Sequence, residues 1–199
     1  MNPHQFLLEN VFFTTRDMAF RTGKSITSTS RKLSRLSVDG SVTRVTQGLW
    51  AQIGHPLYSK YGVIQLLLGN EQGYISFLTA LHINGVISQI PGSVQIATTG
   101  HSRRLISPIG TFEFFQLNPK MFGSGIKESN SRLTYYIATT EKALMDTLYI
   151  SARKNKRFSR LPEVDLGEFD ENLFKKLLRE QITHKPIRVN ILRKLAKLR

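Results

Sequence analysis

The chain has no cysteine, one tryptophan, and half as many acidic as basic side chains. Without a thiol, disulfides, thiolate metal sites and cysteine nucleophiles are excluded. Long apolar runs are missing too. The most apolar stretch, Val63 to Leu68, is far shorter than the roughly 20 residues that span a bilayer. The opening MNPHQFLLEN lacks the basic start and apolar run of a secretory signal. A soluble, cytoplasmic protein with no membrane partner is expected. There is no Gly-x-Ser-x-Gly elbow and no phosphate-binding P-loop. His4, His55, His82, His101 and His184 never pair at metal-ligand spacing. His82 reads as a hydrogen-bonded core residue, and His101 as a loop residue. Gly123-Ser124-Gly125 is like the start of a nucleotidyltransferase site. No Asp-x-Asp follows it, so two-metal chemistry has no ligands, and the segment reads as a turn. Glu141 and Asp146 stand five apart on a predicted helix, so their faces diverge and both read as surface residues. No catalytic residue, metal or cofactor is assigned, and no enzyme is expected.

What is present is positive charge. Lys and Arg number 28 against 14 acids, giving +14 and a pI near 10.3. Such an excess favours a polyanionic partner. It is unevenly spread. Residues 1–54 hold seven basic and three acidic side chains, residues 55–150 seven and five, and residues 151–199 fourteen and six. Two basic ends flank a nearly neutral middle, and these three regions are taken as the domain organisation.

The first region reads as helix, helix, helix, hairpin. Pro3 to Leu8 is a short helix with Phe6 and Leu7 apolar. Thr14 with Asp17 forms a capping box for a second helix, which Gly23 ends. Ser25 opens a third, closed by Ser37 or by Asp39-Gly40. Val42–Val45 and Leu49–Ile53, around Thr46-Gln47-Gly48, predict a tight β-hairpin. Residues 56–85 look helical, with Leu57, Tyr61, Ile64 and Leu68 at helical spacing and Ser76 as a second cap. Strands are predicted at 94–98, 111–115 and 133–138. Thr139 caps a helix whose buried face is Ala143, Leu144, Thr147 and Leu148. After a basic connector ending at Pro162, Asp170 caps a helix with Leu173, Phe174, Leu177 and Leu178 inside. Pro186 starts a last helix with Ile187, Ile191, Leu195 and Leu198 on one stripe.

The third helix, SITSTSRKLSRLS, carries most information. Ile26, Thr29, Leu33 and Leu36 form one buried stripe. Thr27, Ser28, Arg31, Lys32 and Arg35 share the outward face, Lys24 precedes it, and no acid interrupts it before Asp39. A helix entering the major groove needs this profile: small residues for close approach, and long cations for guanine or phosphate. Arg16 and Arg44 fit phosphate contacts. A second nucleic-acid surface is predicted from Arg103, Arg104, Arg153, Lys154, Lys156, Arg157, Arg188, Arg193, Lys194 and Lys197.

Phe13-Thr14-Thr15-Arg16-Asp17-Met18-Ala19, the Ser/Arg-rich helix ending Leu33-Ser34-Arg35-Leu36, and Gly48-Leu49-Trp50-Ala51 together resemble the N-terminal domain of AbiEi-type antitoxins. The resemblance continues through residues 74–85, Gln89-Ile90-Pro91, Arg103-Arg104, Thr111-Phe112-Glu113-Phe114 and residues 138–146, covering roughly residues 10–150. Their order and spacing carry the likeness, not any single motif. Thr140 stands where the family often has proline. The resemblance implies an autorepressor of a toxin–antitoxin operon acting in abortive phage infection. It implies a co-encoded nucleotidyltransferase-like toxin, counteracted without a stable complex, and a basic C-terminal domain needed for antitoxicity.

The expected fold class is α+β: an N-terminal winged helix-turn-helix, then a mixed α/β domain with a terminal basic helical region packed on it. The expected partners are duplex DNA carrying inverted repeats, met by a monomer or by two protomers, and the co-encoded toxin. Direct contact with the toxin is left open. The alternative is an RNA-binding module that uses the basic C-terminal region, with Phe112, Phe114, Tyr135 and Tyr136 as stacking residues. A third reading is a protein-interaction adaptor whose charge is incidental.

Overall fold

The computed structural model describes residues 1–153, 157, 158 and 160–198. Lys154 and Lys156 of the predicted second surface, and Arg199, lie outside the described residues. The described chain is α+β, with eight α-helices and two sheets. It divides into two compact units, Met1–Ile64 with Leu105–Thr111, and Gln65–Arg104 with Phe112–Arg199. None of its helices is long and apolar enough to cross a membrane.

The first unit contains α1 (Pro3–Glu9), β1 (Phe12–Thr14), α2 (Thr15–Thr22), α3 (Ile26–Val38), β2 (Thr43–Thr46) and β3 (Leu49–Ala51). Its local signals act as their chemistry dictates. Thr14 Oγ1 accepts the Asp17 N–H at 3.1 Å, and Asp17 Oδ2 accepts the Thr14 N–H at 2.8 Å, closing the predicted capping box. Gly23 ends α2 at φ 64, a left-handed conformation that glycine reaches at little cost. Ser25 Oγ accepts the Ser28 N–H at 3.2 Å and starts α3. The β2–β3 hairpin turns at Gly48, φ 76. Sequence reading had no place for β1, which pairs antiparallel with β3 and completes a sheet of order β1-β3-β2. The helices pack on it through Phe6, Leu7, Phe13, Met18, Leu33, Val42 and Trp50, with Leu36 against them. Phe6 and Phe13 meet edge to face at 5.1 Å. Ile26 leaves the predicted stripe: it is 55% exposed.

The helical reading of residues 56–85 holds for its second part, where Ser76 is the N-cap of a helix over Phe77–Ile83, but not for its first. Residues 56–59 are irregular, Lys60–Val63 is a 3-10 turn, α4 covers only Ile64–Leu68, and Gly73–Ile75 is a strand, β4. Gly69 at φ 60 interrupts the helical row after Leu68.

The second unit is built on the strands β7-β5-β4-β9-β8 of a mixed sheet of order β6-β7-β5-β4-β9-β8. The remaining strands are β5 (Val94–Thr98), β6 (Arg103–Ser107), β7 (Gly110–Gln116), β8 (Ile126–Glu128) and β9 (Tyr136–Ala138). β4 runs antiparallel to β5 and parallel to β9, and β5 runs parallel to β7. The strand expected over 133–138 is three residues long. Four helices complete the unit's layer: α5 (Phe77–Ile83), α6 (Thr140–Ala152), α7 (Glu171–Gln181) and α8 (Lys185–Leu195). α6 is central, packed by α5, α7 and α8.

Here two expectations fail. α6 is not amphipathic, because every residue from Glu141 to Ile150 is buried. Glu141 and Asp146 are therefore not surface residues. Glu141 Oε1 accepts the Asp170 N–H at 3.2 Å. Lys142 and Asp146, both fully buried, form an ion pair one helical turn apart. Asp146 Oδ2 also accepts from Tyr74 Oη at 2.9 Å and Ser76 Oγ at 2.8 Å. Ser76 caps α5 without a side-chain bond to it, because its hydroxyl is turned to Asp146. The sharp passage from β4 into α5 places buried Phe77 at φ 55, a strained value for a bulky residue. Burial pushes Lys142 below its ordinary value, against the opposing charge of Asp146. Burial, and then Asp146, hold the Tyr74 hydroxyl well above its own.

Removing the acid orphans a buried ammonium and two hydroxyls. Removing the lysine leaves a carboxylate that keeps two donors. Asp146→Ala is expected to lower stability in urea unfolding by about 3–5 kcal/mol, and Lys142→Met by less. Equal losses would refute this asymmetry.

The pH dependence has a sign for each group. Tyr74's contribution is fully present below pH 10.0, the unfolded value, and is lost above it as only the unfolded tyrosine ionises. Lys142's burial penalty is present at neutral pH and is relieved as pH rises toward 10.5. Tyr74→Phe should therefore shrink the loss of stability above pH 10.0 in alkaline unfolding curves. An unchanged curve would count against it.

Candidate nucleic-acid interface

In the first unit, α3 and the hairpin face each other across an open cleft of about 520 Å³. One wall is Ile26, Ser30 and Ser34, a single line of α3 at four-residue spacing. Thr14, Thr15 and Arg16 come from the β1–α2 junction, and Arg44, Gln47, Gly48 and Trp50 from the hairpin. No carboxylate lines it, and its two charged residues are guanidinium groups.

The core side of this cleft is pinned by hydrogen bonds. Trp50 Nε1 donates to Thr15 Oγ1 at 2.9 Å, and the Thr15 N–H donates to the Gly48 carbonyl at 2.9 Å. The first turn of α2 is thereby tied to the hairpin tip. β2 bears an irregularity in its pairing with β3 between Arg44, opposite Trp50, and Thr46.

Arg16, Lys24, Thr27, Ser28, Arg31, Lys32, Arg35 and Arg44 are all exposed. The structure does not gather them on one face. At helical spacing Thr27, Arg31 and Arg35 point away from the core. Lys32 lies instead on a separate cleft of about 420 Å³ with Pro3, His4, Leu7 and Leu8 of α1. Ser30, Ser34 and the exposed Ile26 complete the cleft wall, and sequence reading missed them. The signal for the serines was present as the i, i+4, i+8 line from Ile26. Among the described residues, no ion pair engages Arg16, Arg31, Lys32, Arg35 or Arg44.

The predicted second surface divides. Arg103 is held by Glu71 at 2.8 Å and lies over the Phe114 ring at 4.1 Å. The guanidinium donors of Arg103, helped by Thr98, outweigh burial and keep Glu71 below its ordinary value. Lys194 donates to the Ser151 carbonyl at 3.2 Å and to its hydroxyl at 2.7 Å, satisfying the C-terminal end of α6. Glu113 meets both Arg104, at 3.8 Å, and Arg157, at 3.5 Å. Arg153 lies over the Tyr149 ring. Arg193 and Lys197 are exposed, and Arg188 is half-buried. Of the aromatic residues considered for stacking, Phe112 and Phe114 are core, while Tyr136 is exposed.

His82 is half-buried, with Nδ1 3.3 Å from the Ile87 carbonyl. No three His, Asp or Glu side chains among the described residues come together as a metal site would need. No protein-family model matches the chain, and no curated protein matches it.

Thr15→Val keeps the shape but leaves the Trp50 indole N–H buried without an acceptor. A loss of about 1–3 kcal/mol is expected. It is measured by urea unfolding followed through the fluorescence of Trp50, the one tryptophan of the chain. No loss would mean the bond does not pin the hairpin.

Proposed function

We propose that the first unit is a winged helix-turn-helix, with α2 and α3 as the helix pair and the β2–β3 hairpin as the wing. It binds duplex DNA and regulates transcription, with no enzymatic step. One observation carries this reading. Arg16 and Arg44 line an acid-free cleft whose far wall is small and hydroxylated, Arg31 and Arg35 stand exposed on the outward face of α3, and among the described residues no ion pair engages any of the four. Such a surface suits a groove of alternating base edges flanked by phosphates. Arg31 and Arg35 act from the outward face of α3, and Arg16 and Arg44 anchor phosphates on either side of the cleft.

The likeness to AbiEi-type antitoxins supports a narrower reading. The chain represses the promoter of its own operon in the cytoplasm, and counteracts a co-encoded nucleotidyltransferase-like toxin. An operator of inverted repeats is then met by two protomers, each reading one half-site. The RNA alternative draws less support, because two of its four stacking aromatics are buried.

The test is titration of the full chain against its own promoter at several salt concentrations. Arg31→Ala with Arg35→Ala should weaken binding at least tenfold. It should also lower the slope of log K against log salt by about 1 for each phosphate left without its cation. In cells the double variant should derepress a promoter fusion and still protect against the toxin, because that activity is assigned to the second unit. Unchanged affinity and slope would remove α3 from the interface.

A further inference from the structure

Ile26 lies outside the hydrophobic cluster of its unit. It is the first residue of α3 and is 55% exposed. A lone exposed isoleucine on a convex surface is ordinary. This one is on the wall of a cleft that Arg16 and Arg44 also line, in line with Ser30 and Ser34. The Ser34 hydroxyl donates to the Ser30 carbonyl at 3.0 Å, so toward the cleft it offers lone pairs rather than a proton. The α3 wall is thus an apolar branched group followed by hydroxyls.

The chemistry of the duplex narrows what an aliphatic group can recognise there. Base edges in the major groove present hydrogen-bond donors and acceptors, and one apolar group, the C5-methyl of thymine. On the reading of the first unit as a DNA-binding module, we infer that Ile26 is a specificity-determining residue that packs on a thymine methyl. Arg16 and Arg44 hold the flanking backbone and set the depth of approach. The small side chains at Ser30 and Ser34 leave room for the neighbouring base edge. The preferred site therefore contains a thymine at a fixed place in each half-site, read by its methyl group.

The experiment starts from duplexes that the full chain selects out of a random pool. Each thymine of the selected consensus is replaced in turn by deoxyuridine, which removes only the methyl group. Binding is measured by fluorescence anisotropy at one salt concentration. At one thymine per half-site, wild type should lose about fourfold in affinity, the value of one buried methyl group. Ile26→Ala should lose a similar factor on the thymine duplex and nothing further on the deoxyuridine duplex. Alanine is the better helix former at an exposed site, and unchanged circular dichroism confirms the fold of the variant. If every replacement costs wild type and Ile26→Ala the same factor, or if the consensus has no methyl-sensitive thymine, the assignment of Ile26 is overturned while DNA binding stands. If no duplex is enriched at all, the DNA-binding reading fails, and the inference with it.

Discussion

Fourteen carboxylates must serve twenty-eight Lys and Arg side chains, and where those acids are placed decides which cations stay free. In the second unit Glu71 holds Arg103, Glu113 meets Arg104 and Arg157, Asp146 holds Lys142, and Glu171 holds Lys175. In the first unit no acid among the described residues takes part in an ion pair, and Glu9 accepts from the Gln5 side chain. Asp17 closes the cap of α2, and Asp39 stands at the end of α3. Exposed ion pairs contribute little stability, so this arrangement matters chiefly for the electric field. A cation left unpaired on a convex helix face adds to the potential that attracts a polyanion. The division of labour among the acids therefore distinguishes the first unit more sharply than its formal charge does.

A field alone gives attraction without register. Register needs the cations held at fixed distances, and that comes from the core side of the cleft. The Trp50 indole is buried in the cluster that includes Phe13 and Leu33, and its one donor is used by Thr15. Thr15 is also the first residue of α2, and its backbone is bonded to the hairpin tip. Arg16 and Arg44 are thus carried by segments fastened at a shared point, one residue from Thr15 and four from Gly48. Preorganisation of this kind reduces the ordering that binding would otherwise require.

Much of the first unit was legible because its signals are local. A Thr-x-x-Asp cap, a terminating glycine and a Gln47-Gly48 turn each act within four residues. β1 was not legible because three residues carry no usable alternation, and their strand character comes from pairing with β3, some 35 residues on. In the second unit the same limit produced an error of kind. Lys142 and Asp146 at i, i+4 are the usual mark of a solvated helix face, and nothing local in the sequence distinguishes a buried pair from an exposed one. Their burial depends on Tyr74 and Ser76, about 70 residues earlier, which supply the remaining hydrogen bonds. For the site, the cations of α3 were legible as a face, but the departure of Lys32 from that face into a separate cleft was not. That departure follows from α1, whose Pro3, His4, Leu7 and Leu8 share a cleft with Lys32.

The basic C-terminal helices show why charge counted along a sequence overstates the cationic surface. α8 packs on α6 and buries Ile191 and Leu195, while Lys194, on the same helix, bonds the carbonyl and hydroxyl of Ser151 near the end of α6. A lysine used in this way spends its charge on a helix dipole instead of offering it to solvent. The helix it secures is the one that carries the buried Lys142–Asp146 pair, and the cost of taking such a pair out of water is offset only while every partner stays in place. α8 is therefore first a packing partner of α6. Only its outer side chains, Arg193 and Lys197 among them, remain to act on a polyanion.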